Sequence, residues 1–298
     1  MKKQKNLAYT FLKLVITIVF LYFVFSKISF YETIEILRKS NLSFLLIGLL
    51  SFIISQWISA NRLLEIFKSI SFYLSPKSNY QLYLVGMFYN FFIPGGIGGD
   101  AYKVYLLQKK LQWSVKKVTS CILFDRCIGL GGLLILIVII SVFTPVFKSS
   151  SFLLKGLTIG CLPLMISAGY LLTYYLFPSF KSYYTKTLLF SVFVQLFQCL
   201  SIYFIAKSMS IPDNYIHYIL IFLVSSILSV FSFSGIGVRE LIFYQASVIL
   251  SLDTAKSVSI GTLFSILTAF ISIFGCFYIF RKDTSIHIKE KPQSGIPL

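Results

Sequence analysis

Of the 298 residues, 57% are hydrophobic and only 12% are charged. A soluble domain carries roughly a quarter charged residues, so composition and a mean hydropathy of +0.83 exclude one and point to a polytopic membrane protein. The formal net charge of +17 would suggest nucleic acid in a soluble chain. Here the lysines and arginines stand in short loops between apolar stretches, where they set topology and meet anionic lipid, and no nucleic-acid partner is expected.

The N-terminus, MKKQKNLAYTFLKLVITIVFLYFVFSK, has a basic head and then an apolar run as long as a hydrocarbon core is thick. It lacks the short core and small-x-small cleavage site of a signal peptide, so residues 8–27 are the first predicted span. Further spans are predicted at 42–61, 118–143, 152–177, 187–206 and 257–280. Two shorter apolar stretches, 79–93 and 215–233, each run into a glycine-rich break followed by a second short helix. The breaks are PGGIGGD (94–100) and SFSGIGVRE (232–240).

Basic residues orient the chain. If both broken segments are re-entrant hairpins, one face collects the N-terminal tail, the 61–78 loop, Lys103, Lys109, Lys110, Lys116, Lys117, Lys181, Lys186 and the C-terminal tail. That face is then cytoplasmic, with both termini on it, in a multi-pass protein of the cell membrane. Carrying the first break across instead would export KVYLLQKKLQWSVKK, against the rule. The fold class that follows is all-α and polytopic, with six full spans and two broken segments. The order span, span, re-entrant hairpin, span occurs twice and in opposite senses, over 8–144 and 152–281. It forms an inverted repeat within a single transmembrane domain that ends in a polar tail, 282–298. Such repeats recur in secondary transporters. Gly96-Ile97-Gly98 aligns with Gly235-Ile236-Gly237, and Asp100 with Arg239.

Lipid cannot satisfy a free peptide group, so a non-helical stretch at depth must be buried in protein or line a wet cavity. Pro94 ends the incoming helix, and Gly95, Gly96, Gly98, Gly99, Gly235 and Gly237 permit the unwound backbone. A helix beginning near Ala101 then presents free amides and a positive dipole end, which suit an anion such as phosphate. Asp100 reads as that helix's cap, a role compatible with one in the site. In CILFDRCIGLGG, Asp125 and Arg126 fall within a predicted span, where an arginine costs about 2.5–3.5 kcal/mol on insertion scales. Adjacent helical positions diverge, so the two need separate partners. Arg126 is open to two roles, an ion pair locking helices or a headgroup contact, and Arg239 and Glu240 share those alternatives. Gln56, Asn61, Arg62, Gln195 and Gln198 read as hydrogen-bonding partners between helices. The five cysteines lie in apolar runs without a CxxC and read as buried thiols, and the two histidines are far apart. Neither a metal nor a cofactor is expected.

The motifs IPGGIGGDAYKVY and SGIGVRE, with FDR between them at the start of a long helix, resemble one integral-membrane family. It is the flippase-like transmembrane region of lysylphosphatidylglycerol synthases and their stand-alone relatives, and the resemblance runs over about 10–282. It implies a lipid-handling unit that moves an aminoacylated or otherwise modified lipid between leaflets. The matching residues are Pro94, Gly95, Gly98, Gly99, Asp100, Lys103, Arg126, Gly235, Gly237, Arg239 and Glu240. Lys103 stands where an arginine is common, and Phe233-Ser234 where proline and a further glycine are usual. No soluble aminoacyl-transferase domain is read after the last span, so synthase activity is not expected of this stand-alone form.

The expected function is flippase-like transport of an anionic or modified phospholipid or lipid-linked precursor. Asp100, Lys103, Arg126, Arg239 and Glu240 would bind the headgroup. No GxxxxGK[ST] motif offers ATP hydrolysis. One alternative is an accessory subunit that presents lipid to a membrane glycosyltransferase or aminoacyl-lipid synthase. An intramembrane lipid transferase using Asp100, Asp125 and Glu240 finds less support, because aspartate-rich, histidine-cluster and G-x-S-x-G motifs are all missing. No residue is assigned a catalytic role.

Overall fold

The computed structural model describes Glu35 and residues 38–92, 97–211, 215–229 and 238–280. The predicted span 8–27, both tails, Pro94, Gly95, Gly96, Gly235 and Gly237 lie outside these residues. The described residues form ten α-helices. These are α1 (Leu42–Ser69), α2 (Pro76–Phe92), α3 (Gly98–Leu111), α4 (Val115–Ser141), α5 (Pro145–Ser149), α6 (Phe152–Leu176), α7 (Tyr184–Ser208), α8 (Tyr215–Ser229), α9 (Val238–Ile249) and α10 (Thr254–Phe280). A 3-10 turn, Pro178–Tyr183, leads into α7.

Five of these segments are long and apolar enough to cross a membrane: α1, α4, α6, the stretch Pro178–Ser208, and α10. They coincide with the five predicted spans that follow 8–27, and the protein is an all-α, multi-pass membrane protein. Its helix ends depart from expectation. α1 runs past residue 61 to Ser69 because Leu63, Leu64, Ile66 and Phe67 continue its buried face. α3 begins at Gly98, ahead of Ala101, so Gly98 and Gly99 belong to its first turn and not to the break. Gly99 has a packing reason for being glycine: a Cβ there would overlap the carbonyl of Gly86 on α2. Cys127 and Cys161 are exposed, not buried, since they fall on outward faces of α4 and α6.

α1 and α7 form the spine. Asn41 N donates to Ser208 O at 2.8 Å, Gly48 abuts Ser201, Arg62 reaches Ser191 and Lys186 pairs with Glu65 at 2.7 Å. Numbers rise along one helix as they fall along the other, so the pair is antiparallel over nearly its whole length. α2 and α3 pair the same way: Tyr83 lies by Lys103, Gly86 by Gly99, and Asn90 by Gly99 N. The first broken segment is thus a helical hairpin. α8 and α9 also pack together, with Arg239 over the Phe222 ring.

Each hairpin leans on the long helix that follows it in sequence, α3 on α4 and α9 on α10. Each first arm leans on the long helix of the other half, α2 on α10 and α8 on α4. The α2–α10 approach is close enough that a Cβ on Gly275 would overlap the Leu84 carbonyl. The exchange is not complete, because α4 packs broadly on α7 while α10 meets α1 through fewer residues such as Phe52 and Phe264. One apolar cluster joins α1, α7, α8, α9 and α10 around Phe52, Phe222, Phe243 and Phe264. A second wraps the first hairpin, with Phe67, Leu107, Trp113 and Phe124 at its centre.

Candidate functional site

The first turn of α3 approaches α2 at Gly99, and that approach buries Asp100 and Lys103. Asp100 does not cap its own helix. Asn90, on α2, accepts from Gly99 N at 2.8 Å and supplies the side-chain cap. The Asp100 carboxylate turns instead to two cations, accepting from Arg126 Nε on α4 and lying 3.4 Å from Lys103 Nζ. Lys103 Nζ also stands 5.1 Å over the Tyr83 ring, a favourable cation–π placement. Tyr83 Oη is 2.8 Å from Ser59 Oγ and 3.2 Å from Gln56 Oε1, which ties the hairpin to α1.

Asp125 and Arg126 point to different partners, as neighbours on one helix must. Asp125 receives a two-pronged guanidinium from Arg62: Nε to Oδ1 at 2.7 Å and Nη2 to Oδ2 at 3.0 Å. Arg62 Nη1 donates to Ser191 Oγ at 2.9 Å, so this one side chain links α1, α4 and α7. Both members of the pair are nearly withdrawn from solvent, and such a pair locks helices together more than it binds anything. Asp100, Lys103 and Arg126 carry two positive charges against one negative. They leave a net positive charge at this end of the cluster.

Arg239 and Glu240 occupy the first turn of α9. Arg239 is buried, with its guanidinium carbon 4.8 Å over the Phe264 ring and 5.6 Å over Phe222. Its Nε has no hydrogen-bond partner among the described residues. Glu240 Oε1 accepts from Ser265 Oγ on α10 at 3.0 Å. The structure therefore brings the named charges together in two groups. Phe52, which meets Phe264 with ring centroids 5.3 Å apart, precedes Arg62 on α1 by about 15 Å at 1.5 Å per residue. Gly98 and Gly99 sit at the first group. Among the described residues there is no cluster of His, Cys, Asp and Glu that could hold a metal ion.

In the sequence Arg62 reads as a cation of the 61–78 loop and as a hydrogen-bonding partner between helices, and nothing sets Tyr83, Asn90 or Ser191 apart as site residues. Arg62 had a signal: Ser55, Ser59 and Arg62 recur at helical spacing and give α1 one polar stripe. Asn90, the lone amide in MFYNFF, stood close to the break. Nothing distinguished Tyr83 from the many other tyrosines. Of the polar residues expected to bond between helices, Gln56 does so, whereas Asn61 donates to Trp57 O of its own helix.

A family model described as the lysylphosphatidylglycerol synthase TM region matches residues 10–187. The chain belongs to that family. The match includes IPGGIGGDAYKVY and FDR, hence the whole first hairpin and its Asp100–Arg126 pair, and ends before SGIGVRE. No curated protein matches the chain. As a member of the lysylphosphatidylglycerol synthase TM region family, the protein has a membrane lipid-related role.

Proposed function

We propose that the protein moves an anionic or modified phospholipid, or a lipid-linked precursor, between the leaflets of the cell membrane. The observation that carries this reading is Arg239, a buried guanidinium at the first turn of a hairpin helix whose Nε finds no partner among the described residues. A buried, unsatisfied charge is costly, and a phosphate is a natural partner for it. Arg126 and Lys103 offer a second cationic seat at the other hairpin. Acyl or prenyl chains stay in lipid while the headgroup passes between the two.

The packing supports an inverted repeat of two units, 8–144 and 152–281. α1 and α7, the second span of each unit, are antiparallel, and each hairpin's first arm rests on the other unit's last span. Rocking one unit against the other about that spine would expose the seats to each leaflet in turn. Lys68, Lys109, Lys110, Lys116, Lys117 and Lys186 favour the cytoplasm for the end of the bundle that bears them, and cytoplasmic termini are part of the same proposal. A membrane-associated synthase or glycosyltransferase that makes or uses the lipid is a partner compatible with this reading.

Reconstituted vesicles holding a labelled anionic lipid in one leaflet test the proposal. Accelerated loss of leaflet asymmetry over empty vesicles is expected, and abolished by Arg239→Gln. Unchanged asymmetry with correctly folded protein would sink the transport reading and leave the lipid-presenting role.

A further inference from the structure

Arg126 is unusual in where it lies. Its side chain is 37% exposed although it sits well inside a long apolar helix. It projects beside a stripe of outward residues on α4, Leu123 (51% exposed), Leu130 (44%) and Leu134 (36%), at the spacing of one helical face. On α3, the helix that presents Asp100 to it, Tyr105 is likewise exposed, as is Ile97 just ahead of its first turn. These leucines face outward, among the described residues, on a helix long and apolar enough to cross a membrane, and such a face suits lipid. The partly exposed Arg126 side chain borders the same face.

Exposed Lys116 and Lys117 stand in the first turn of α4, and Arg126 follows them by about 15 Å at 1.5 Å per residue. Cations thus mark both the interface and a point deeper along one lipid-facing helix. Asp125, the next carboxylate on α4, is already taken by Arg62. Asp100 is shared between Lys103 and Arg126, so the group keeps one surplus positive charge.

We propose, resting on the transport reading, that the α3–α4 face is a side entrance for the phosphate of an anionic membrane lipid. Asp100 holds Arg126 in place of that phosphate until the lipid arrives. The lipid slides its headgroup from Lys116 to Arg126 with its chains against Leu123, Leu130 and Leu134. Its phosphate takes over the Arg126 guanidinium, and Asp100 retains Lys103. The phosphate thereby neutralises the group's surplus positive charge, since two cations then face one carboxylate and one phosphate. A soluble phosphate compound has no use for the leucine stripe. The occupant is therefore a lipid.

The test places a photo-crosslinking residue at Leu123 or Leu130, with Leu171 on the outward side of α6 as the control, in vesicles of equal phosphatidylglycerol and phosphatidylcholine. Mass spectrometry reads the lipid adducts. Anionic adducts at the two α4 positions should exceed zwitterionic ones by about fivefold, the preference that one added cation near a membrane surface gives. Leu171 should report the bulk ratio. Arg126→Gln should return the α4 positions to bulk, Arg126→Lys should keep part of the preference, and Asp100→Asn should raise it. A bulk ratio at Leu123 and Leu130 in the wild-type background, or a preference indifferent to Arg126→Gln, would overturn the entrance. So would loss of the preference on adding millimolar glycerol phosphate, which would assign the seat to a free phosphate. Lipid movement in the same vesicles separates the two proposals. Enrichment without movement keeps the entrance and sinks the transporter, whereas movement without enrichment does the reverse.

Discussion

At the first hairpin charge is met with charge: Asp100 lies between Lys103 and Arg126, and Asp125 grips Arg62. At the second, Arg239 lies against two phenylalanine rings and its Nε has no partner among the described residues, while the neighbouring Glu240 takes a hydroxyl from α10. Both helix pairs have a glycine motif between their arms in the sequence and a cation near a helix start, yet the described helices are held by different means. Ion pairs and hydrogen bonds fix the first, so removing a member leaves an orphan charge. Aromatic packing fixes the second, and removing its guanidinium leaves an apolar site that can close. Similar motifs in the two halves therefore do not imply equal division of binding and stability.

Substitutions can break or sharpen this contrast. The largest loss is expected for Arg62→Ala, which strands the Asp125 carboxylate and should cost about 3–5 kcal/mol. It would show as a lowered unfolding temperature in detergent. Gly99→Ala should follow, at about 1–3 kcal/mol, because overpacking forces α2 and α3 apart. Gly156→Ala is its comparator, since a Cβ at Gly156 meets nothing within 4 Å, and should leave the unfolding temperature unchanged. Ser265→Ala removes one hydrogen bond to Glu240 and should cost about 1 kcal/mol, read in the same melt.

Arg239→Met should be the mildest for the fold, leaving stability unchanged or raising it by up to about 1 kcal/mol, because an apolar side chain replaces an incompletely satisfied charge. Lipid movement should nonetheless be lost. A loss of stability with Arg239→Met as deep as with Arg62→Ala would erase the distinction between the hairpins.

The spans were legible because hydrophobic length is a local property, and five of the six fall among the described helices. Their ends were less so: α1 continues through Arg62 and Glu65 because both find partners in the folded chain. That Asp125 and Arg126 part company followed from helix geometry alone. Who receives them did not, since the partners lie 63 and 26 residues away in sequence. The role of Asp100 was misjudged for a related reason. An aspartate at a helix start caps by default, and only the neighbouring Asn90 and the approach of α4 divert it. For Arg239 the cation and the glycine motif are visible in the sequence, while the phenylalanines beside it come from other helices.

α10 has a bearing on how the chain is made. Its Gly275 carries the seat of α2 and its Phe264 underlies Arg239, so one late segment serves an early hairpin and a late one alike. While the ribosome is still delivering that segment, neither hairpin has its final neighbour. Assembly of the bundle is completed only when α10 is inserted, and a premature stop that removes it should expose both hairpins together to quality-control proteases.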